Sequence, residues 1–152
     1  MCRIYTNPNR KAYLAFRKSS TCGHKLDYHI VIPTKYRTPL FTPAIAQFTR
    51  DIIVEKCENE GYALLGLSAQ IDHLHLFLGL KPTDHIPHVL QKIKGFTTRM
   101  IIKEFPGHFK DRARRKVWAE GYSIESLGFK NVAQIKAYID SQDEHHAVEL
   151  QG

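Results

Sequence analysis

Cysteine is scarce in this 152-residue chain, and the three present, Cys2, Cys22 and Cys57, form no CxxC pair and are odd in number. They supply neither a disulfide framework nor a zinc knuckle and are expected as reduced thiols. Long apolar runs are also missing. The longest is short and interrupted by two histidines, so no membrane-spanning helix fits and no membrane partner is expected. The polar N-terminus lacks the apolar stretch of a secretory leader, which gives the expectation of a cytoplasmic protein. Internal repeats and low-complexity tracts are absent. Acidic residues are outnumbered, 15 against 22 Lys and Arg, giving a net charge of +7 and an isoelectric point near 9.4. That excess favours a polyanionic partner, most simply nucleic acid.

What is present suffices for one core, with 43% hydrophobic residues over 152, so a single domain spanning residues 1–152 is expected. Residues 1–23 read as a basic N-terminal arm and residues 24–152 as the core. Asp27 to Ile32 alternates and is β-rich, followed by the basic loop Lys35-Tyr36-Arg37 between Pro33 and Pro39. Ile45, Phe48, Ile52, Ile53 and Cys57 recur at helical spacing, which predicts a helix over 44–60 with Pro43 at its first turn and Gly61 past its end. Ala63–Ser68 and Leu74–Leu80 read as adjacent strands. Val89, Leu90, Ile93, Phe96, Thr97, Met100 and Ile101 mark a second amphipathic helix up to about Phe105. Val117 to Leu127 reads as a strand or hairpin. Asn131 and Gln134 form a capping-box pattern opening a last helix through about His145. This order predicts an α+β, ferredoxin-like split βαβ fold: an antiparallel sheet with helices on one face and a further C-terminal helix.

Such a sheet has a free face, and the segment Ile71-Asp72-His73-Leu74-His75-Leu76-Phe77-Leu78-Gly79-Leu80 uses it distinctively. On a strand His73 and His75 share one side, about 6–7 Å apart along the chain, and Leu74, Leu76, Leu78 and Leu80 share the other. The leucines read as core. The imidazoles can converge on one metal ion, or can simply be polar residues on a solvated face. On the last helix, Tyr138 and Gln142 stand at i and i+4 along one edge of the apolar stripe Val132, Ile135 and Ile139.

Tyr28-His29-Ile30-Val31 with Lys35-Tyr36-Arg37, Asp72-His73-Leu74-His75, Lys94-Gly95, Trp118-Ala119-Glu120-Gly121-Tyr122, and Tyr138-Ile139 with Gln142 follow one another in that order. Through them the chain resembles the single-tyrosine HUH transposases of small bacterial and archaeal insertion sequences, and the related REP-associated tyrosine transposases. The resemblance implies that His73, His75 and Gln142 bind a divalent metal, Mg²⁺ or Mn²⁺, and that Tyr138 is the catalytic nucleophile. It implies cleavage and rejoining of single-stranded DNA with hairpins at the element ends, through a 5′-phosphotyrosine and without a nucleotide cofactor. It also implies a homodimer in which the tyrosine helix can complete the partner's active site. The chemistry suits these residue types: a phenol of pKa near ~10 attacks phosphorus at neutral pH only with its proton removed or the transition state strongly stabilised.

Lys92, Lys94, Arg99 and Lys103 on the second helix, Arg112, Arg114, Arg115 and Lys116 after it, and Lys35 and Arg37 are expected to bind the DNA backbone. Asp72 is placed to orient an imidazole N–H. His29, His85, His88, His108, His145 and His146 carry no comparable spacing argument, and Glu120 is assigned to the hairpin. The competing reading is a ferredoxin-like nucleic-acid-binding module without catalysis, which calls for several aromatic platforms on the sheet.

Overall fold

The computed structural model describes residues 5–8, 17–18, 20–109, 116–128, 134, 137–138 and 140–141. Expectations for most of the N-terminal arm, for Cys2, His145 and His146, and for the capping box at Asn131 lie outside them. The strands are β1 (Tyr5–Thr6), β2 (Arg17–Lys18), β3 (Gly23–His24), β4 (Leu26–Pro33), β5 (Ala63–Ala69), β6 (His73–Leu80) and β7 (Ser123–Ser126). The helices are α1 (Pro43–Glu60) and α2 (Ile86–Glu104). Five strands form one sheet in the order β1-β5-β6-β4-β7, every neighbouring pair antiparallel. With β1 set aside, the order β5-β6-β4-β7 is that of the expected split βαβ fold.

The helices form where the sequence places their punctuation. Thr42 caps α1 by accepting from the Ile45 N–H at 3.3 Å, Pro43 fills the first turn, and Gly61 closes the helix with a left-handed φ of 75°. The buried stripe of α1 is Ile45, Ala46, Thr49, Ile52, Ile53 and Cys57, and that of α2 is Val89, Leu90, Ile93, Thr97 and Ile101. Both stripes pack with one face of the sheet: Ile30 and Ile32 from β4, Leu74, Leu76, Leu78 and Leu80 from β6, and Leu64, Leu67 and Ala69 from β5. Each fully buried large aliphatic side chain here contributes roughly 1.5–3 kcal/mol, so this layer fixes the register of β6. Burial pushes the Cys57 thiol up to about 12, as expected of an inert core cysteine.

Three details depart from the sequence reading. The N-terminal arm joins the sheet, since β1 pairs with β5 along its edge. Residues 117–127 are neither a hairpin nor one strand but two stretches along β4. Thr34 bridges Trp118, Tyr28–Val31 pairs with β7, and the register slips between them. The second face of the sheet is not open around the histidines. Every residue of β6 is buried, because the face opposite the leucines is covered in part by Tyr138, whose ring packs edge-on against His29 and Phe77. Among the described residues no helix is long and apolar enough to cross a membrane.

Candidate active site

His73 and His75 emerge on the face of β6 away from the helices because the leucines alternating with them are claimed by the core. The two residues are 8% and 3% exposed respectively, and their Nε2 atoms lie 3.1 Å apart. Beside them on the neighbouring strand stands His29, which pairs in register with Phe77 on β6 and with Glu125 on β7. Its ring stacks on Phe77 at 4.6 Å with 6° between planes.

These side chains and Tyr138 form one continuous row of polar contacts, hydrogen-bonded from Glu125 through Tyr138 and His29 to His75 and from His73 to Asp72. Tyr138 is helical, as are the described residues around it. Its hydroxyl donates to Glu125 Oε2 at 2.8 Å and lies 3.1 Å from His29 Nδ1. His29 Nε2 is 2.8 Å from His75 Nδ1, and His73 Nδ1 is 2.7 Å from Asp72 Oδ1. The two carboxylates at the ends orient the row, because an ionised carboxylate only accepts. Tyr138 therefore donates to Glu125, and its oxygen accepts from His29 Nδ1–H. With His29 uncharged, it accepts on Nε2 from His75 Nδ1–H, while His73 gives its Nδ1–H to Asp72. In that tautomer set the two facing Nε2 atoms direct acceptor lone pairs toward one another.

Two such lone pairs at 3.1 Å are stabilised by a shared positive charge, either a proton or a metal ion. The spacing fits a metal: bonds of about 2.0–2.1 Å at tetrahedral to right angles separate two nitrogens by roughly 2.9–3.4 Å. Both rings are also held by the nitrogen that would not bind the metal, the usual arrangement of a ligating histidine. Among the described residues no group of three His, Cys, Asp or Glu side chains converges as a ligand set. His29 does not complete one, since its Nε2 faces the rear nitrogen of His75. Gln142, the expected third ligand, lies outside the described residues, as do Arg112, Arg114 and Arg115.

Burial, and then the hydrogen bond and negative charge of Glu125, push the Tyr138 phenol up to about 12. The resting group is thus firmly protonated, with a proton acceptor already in contact. Both His29 and Glu125 were missed by the sequence reading. Alternation along Asp27 to Ile32 does put His29 on the face opposite Ile30 and Ile32. The cross-strand register that unites it with His75 and Glu125 has no local signature.

The expected DNA-binding residues divide by environment. Arg37 approaches Asp72 at 3.7 Å and so borders the histidine row, and Lys35 sits over the Tyr36 ring at 5.1 Å. Lys116, Arg99 and Lys103 are exposed, and Lys92 pairs with Glu60 at 3.0 Å. Lys94 does not share their side of α2. It lies ~200° around the helix from Lys92 and donates to the carbonyls of Ala119, Glu120 and Gly121 at 2.9, 3.1 and 3.4 Å. Burial pulls its pKa below the ordinary lysine value. It anchors the slip between the two stretches paired to β4, beside a cavity of about 600 Å³ whose lining includes Leu90, Trp118 and Tyr122 but none of the histidines.

Comparison with known proteins gives a consistent result. A family model described as IS200-like transposase matches residues 22–142. The chain is similar to the ISDra2 transposase TnpA of Deinococcus radiodurans, 26% identical over 129 residues, covering 85% of this chain and 92% of that protein. It is similar to the transposase for insertion sequence element IS200 of Salmonella typhimurium, 31% identical over 116 residues, covering 76% of this chain and 75% of the relative. A crystal structure of a candidate transposase from Deinococcus radiodurans superposes with a TM-score of 0.69 at 30% identity, covering 83% of this chain and 97% of that one.

Proposed function

The chain belongs to the IS200-like transposase family, and on that premise we propose that it cleaves and rejoins single-stranded DNA through a covalent 5′-phosphotyrosine at Tyr138. The observation that carries this reading is the hydrogen-bonded row itself. It joins a tyrosine, through His29, to a histidine pair whose spacing suits a metal. A phenol linked in this way to a phosphate-activating centre is what transfer to tyrosine requires.

In this proposal His73, His75 and Gln142 hold a divalent cation, Mg²⁺ or Mn²⁺. When bound, it polarises the scissile phosphate and neutralises charge developing on the leaving oxygen. The remaining steps belong to the protein. Glu125 takes the phenol proton as the Tyr138 oxygen forms its bond to phosphorus and the bond to the 3′ oxygen breaks. His29 Nδ1–H, already donating to that oxygen, keeps its reacting lone pair aimed and the ring in place. Asp72 and His29 hold the two imidazoles in the tautomers that leave Nε2 available. The phosphoryl linkage retained on Tyr138 is then open to attack by a 3′-hydroxyl, which rejoins strands without ATP.

Hairpins at the element ends as the recognised form of the DNA, and a homodimer as the working assembly, are part of the same proposal. A non-catalytic binding module accounts poorly for the sheet: Phe77 is 0% and His29 6% exposed, so neither offers a face for base stacking. The test is incubation with single-stranded hairpin DNA and Mn²⁺ or Mg²⁺, followed by denaturing gels. A protein-linked 5′ fragment that disappears in Tyr138→Phe, with hairpin binding retained, is the expected result. An undiminished adduct in that variant overturns the assignment and points to Tyr122.

A further inference from the structure

The turn after β4 is strained in a way the chemistry above does not use. Tyr36, at φ 58° and ψ 21°, and Arg37, at φ 54°, are the non-glycine residues of positive φ among those described. Side chains with a Cβ are disfavoured there, and glycine or asparagine is the usual choice. The conformation is imposed by a cage of hydrogen bonds. Thr34 N–H and Thr34 Oγ1 both donate to the Asp72 carbonyl at 2.9 Å, and Lys35 N–H donates to Val117 O at 2.9 Å. Thr34 Oγ1 also reaches Thr38 O at 2.8 Å, and Thr38 Oγ1 donates to Lys35 O at 2.7 Å. The turn is therefore built rigidly onto the start of β6 and the segment entering Trp118.

What the cage achieves is to hold the Tyr36 ring in solvent, 86% exposed. Folding gains little from a large aromatic so placed, and strain maintained for an exposed cation–π contact with Lys35 points to use by a ligand. The neighbours indicate which ligand. Lys35 Nζ stands 5.1 Å from the ring centroid, and Arg37 Nη1 lies 3.7 Å from the Asp72 oxygen that holds His73 at 2.7 Å. The turn thus stands at the rim of the candidate active site, its aromatic ring beside Lys35 and next in sequence to Arg37, on a protein of net charge +7. An aromatic face flanked by cations is the composition that receives a single strand, base on ring and phosphates on the charges.

We propose that Tyr36 is a stacking platform for an unpaired base beside the scissile phosphate, with Lys35 and Arg37 engaging the phosphates on either side of that base. This rests on the single-strand substrate proposed above, and stacking makes the contact tolerant of base identity. The test measures fluorescence anisotropy, without divalent metal, on a labelled oligothymidylate of roughly 16 nucleotides and on an abasic deoxyribose-phosphate strand of equal length. Tyr36→Ala weakens oligothymidylate binding on the order of tenfold and leaves the abasic strand unchanged, whereas Tyr36→Trp retains affinity. Tyr36→Gly, which relaxes the turn, raises Tm while weakening oligothymidylate binding as alanine does. Equal binding of both strands by wild type and Tyr36→Ala, or an equal loss on both, overturns the platform. The Tyr138 adduct is scored separately. An adduct without base-dependent loss at Tyr36 overturns only the platform, and base-dependent loss without an adduct overturns only the phosphotyrosine reading.

Discussion

Replacing Glu125 by Gln separates two roles that the same contact can play. The carboxylate accepts the Tyr138 proton at 2.8 Å, and with burial it helps push that phenol up to about 12. Near neutral pH a phenol of pKa about 10 is ionised to roughly one part in 10³, and one near 12 to roughly one part in 10⁵. If Glu125 only suppressed the phenolate, Glu125→Gln would remove the part of the shift that burial does not cause and raise the cleavage rate, by less than the roughly hundredfold that the full shift represents. If Glu125 removes the proton in the transition state, its loss costs a general base, on the order of 10²–10⁴ in rate. These signs are opposite, and the second is expected because Tyr138 donates directly to the carboxylate. Single-turnover cleavage of a hairpin strand by Glu125→Gln is therefore predicted to be at least about a hundredfold slower. Its rate should climb with pH as hydroxide ionises the phenol, more steeply than that of wild type. Binding of the uncleaved strand serves as the control for folding. A variant faster than wild type at neutral pH refutes the proposed role.

His73→Ala removes one of the two facing Nε2 atoms. It is expected to abolish metal-dependent cleavage and the calorimetric heat of Mn²⁺ binding while strand binding persists; unchanged cleavage would remove the metal from the scheme. Thr97→Val deletes the acceptor that the buried Trp118 Nε1–H uses at 2.8 Å and should cost about 1–3 kcal/mol, seen as a lower Tm by circular dichroism; an unshifted transition contradicts this. Gly79→Ala places a Cβ 2.6 Å from Arg17 Nη1 and 2.8 Å from Asp27 Oδ1, displacing their 2.8 Å ion pair. A loss of about 1–3 kcal/mol is expected, and denaturant titration matching wild type would show that the pair yields freely.

Much of this architecture was legible from periodicity. The apolar recurrences predicted α1 and α2 to within a few residues, because each stripe is complete within its own segment and is punctuated by Pro43, Gly61 and Pro106. The alternation of His73 and His75 with leucines likewise predicted which face each would take. What periodicity missed depends on partners distant in sequence. Lys94 reads as one more basic residue of a polar face, yet the carbonyls of 119–121 that bind it are set by the slip in β7 pairing. His29 and Glu125 become neighbours only through β4 lying between β6 and β7. Tyr36 was visible as part of a basic loop, but its left-handed backbone follows from contacts to Asp72 and Val117 that no local pattern encodes. The burial of the histidines arises the same way, since Tyr138 closes over His29 from more than a hundred residues further along the chain.

The central claim is that Tyr138 carries the DNA. The most direct measurement is mass spectrometry of the proteolysed covalent complex, after reaction with a single-stranded hairpin and Mn²⁺ and nuclease trimming of the strand. One modified peptide is expected, containing Tyr138 and heavier by a 5′-phosphorylated nucleotide remnant attached at the phenol oxygen. Recovery of that mass on Tyr122 or any other residue, or cleaved DNA with no linked peptide at all, would contradict it.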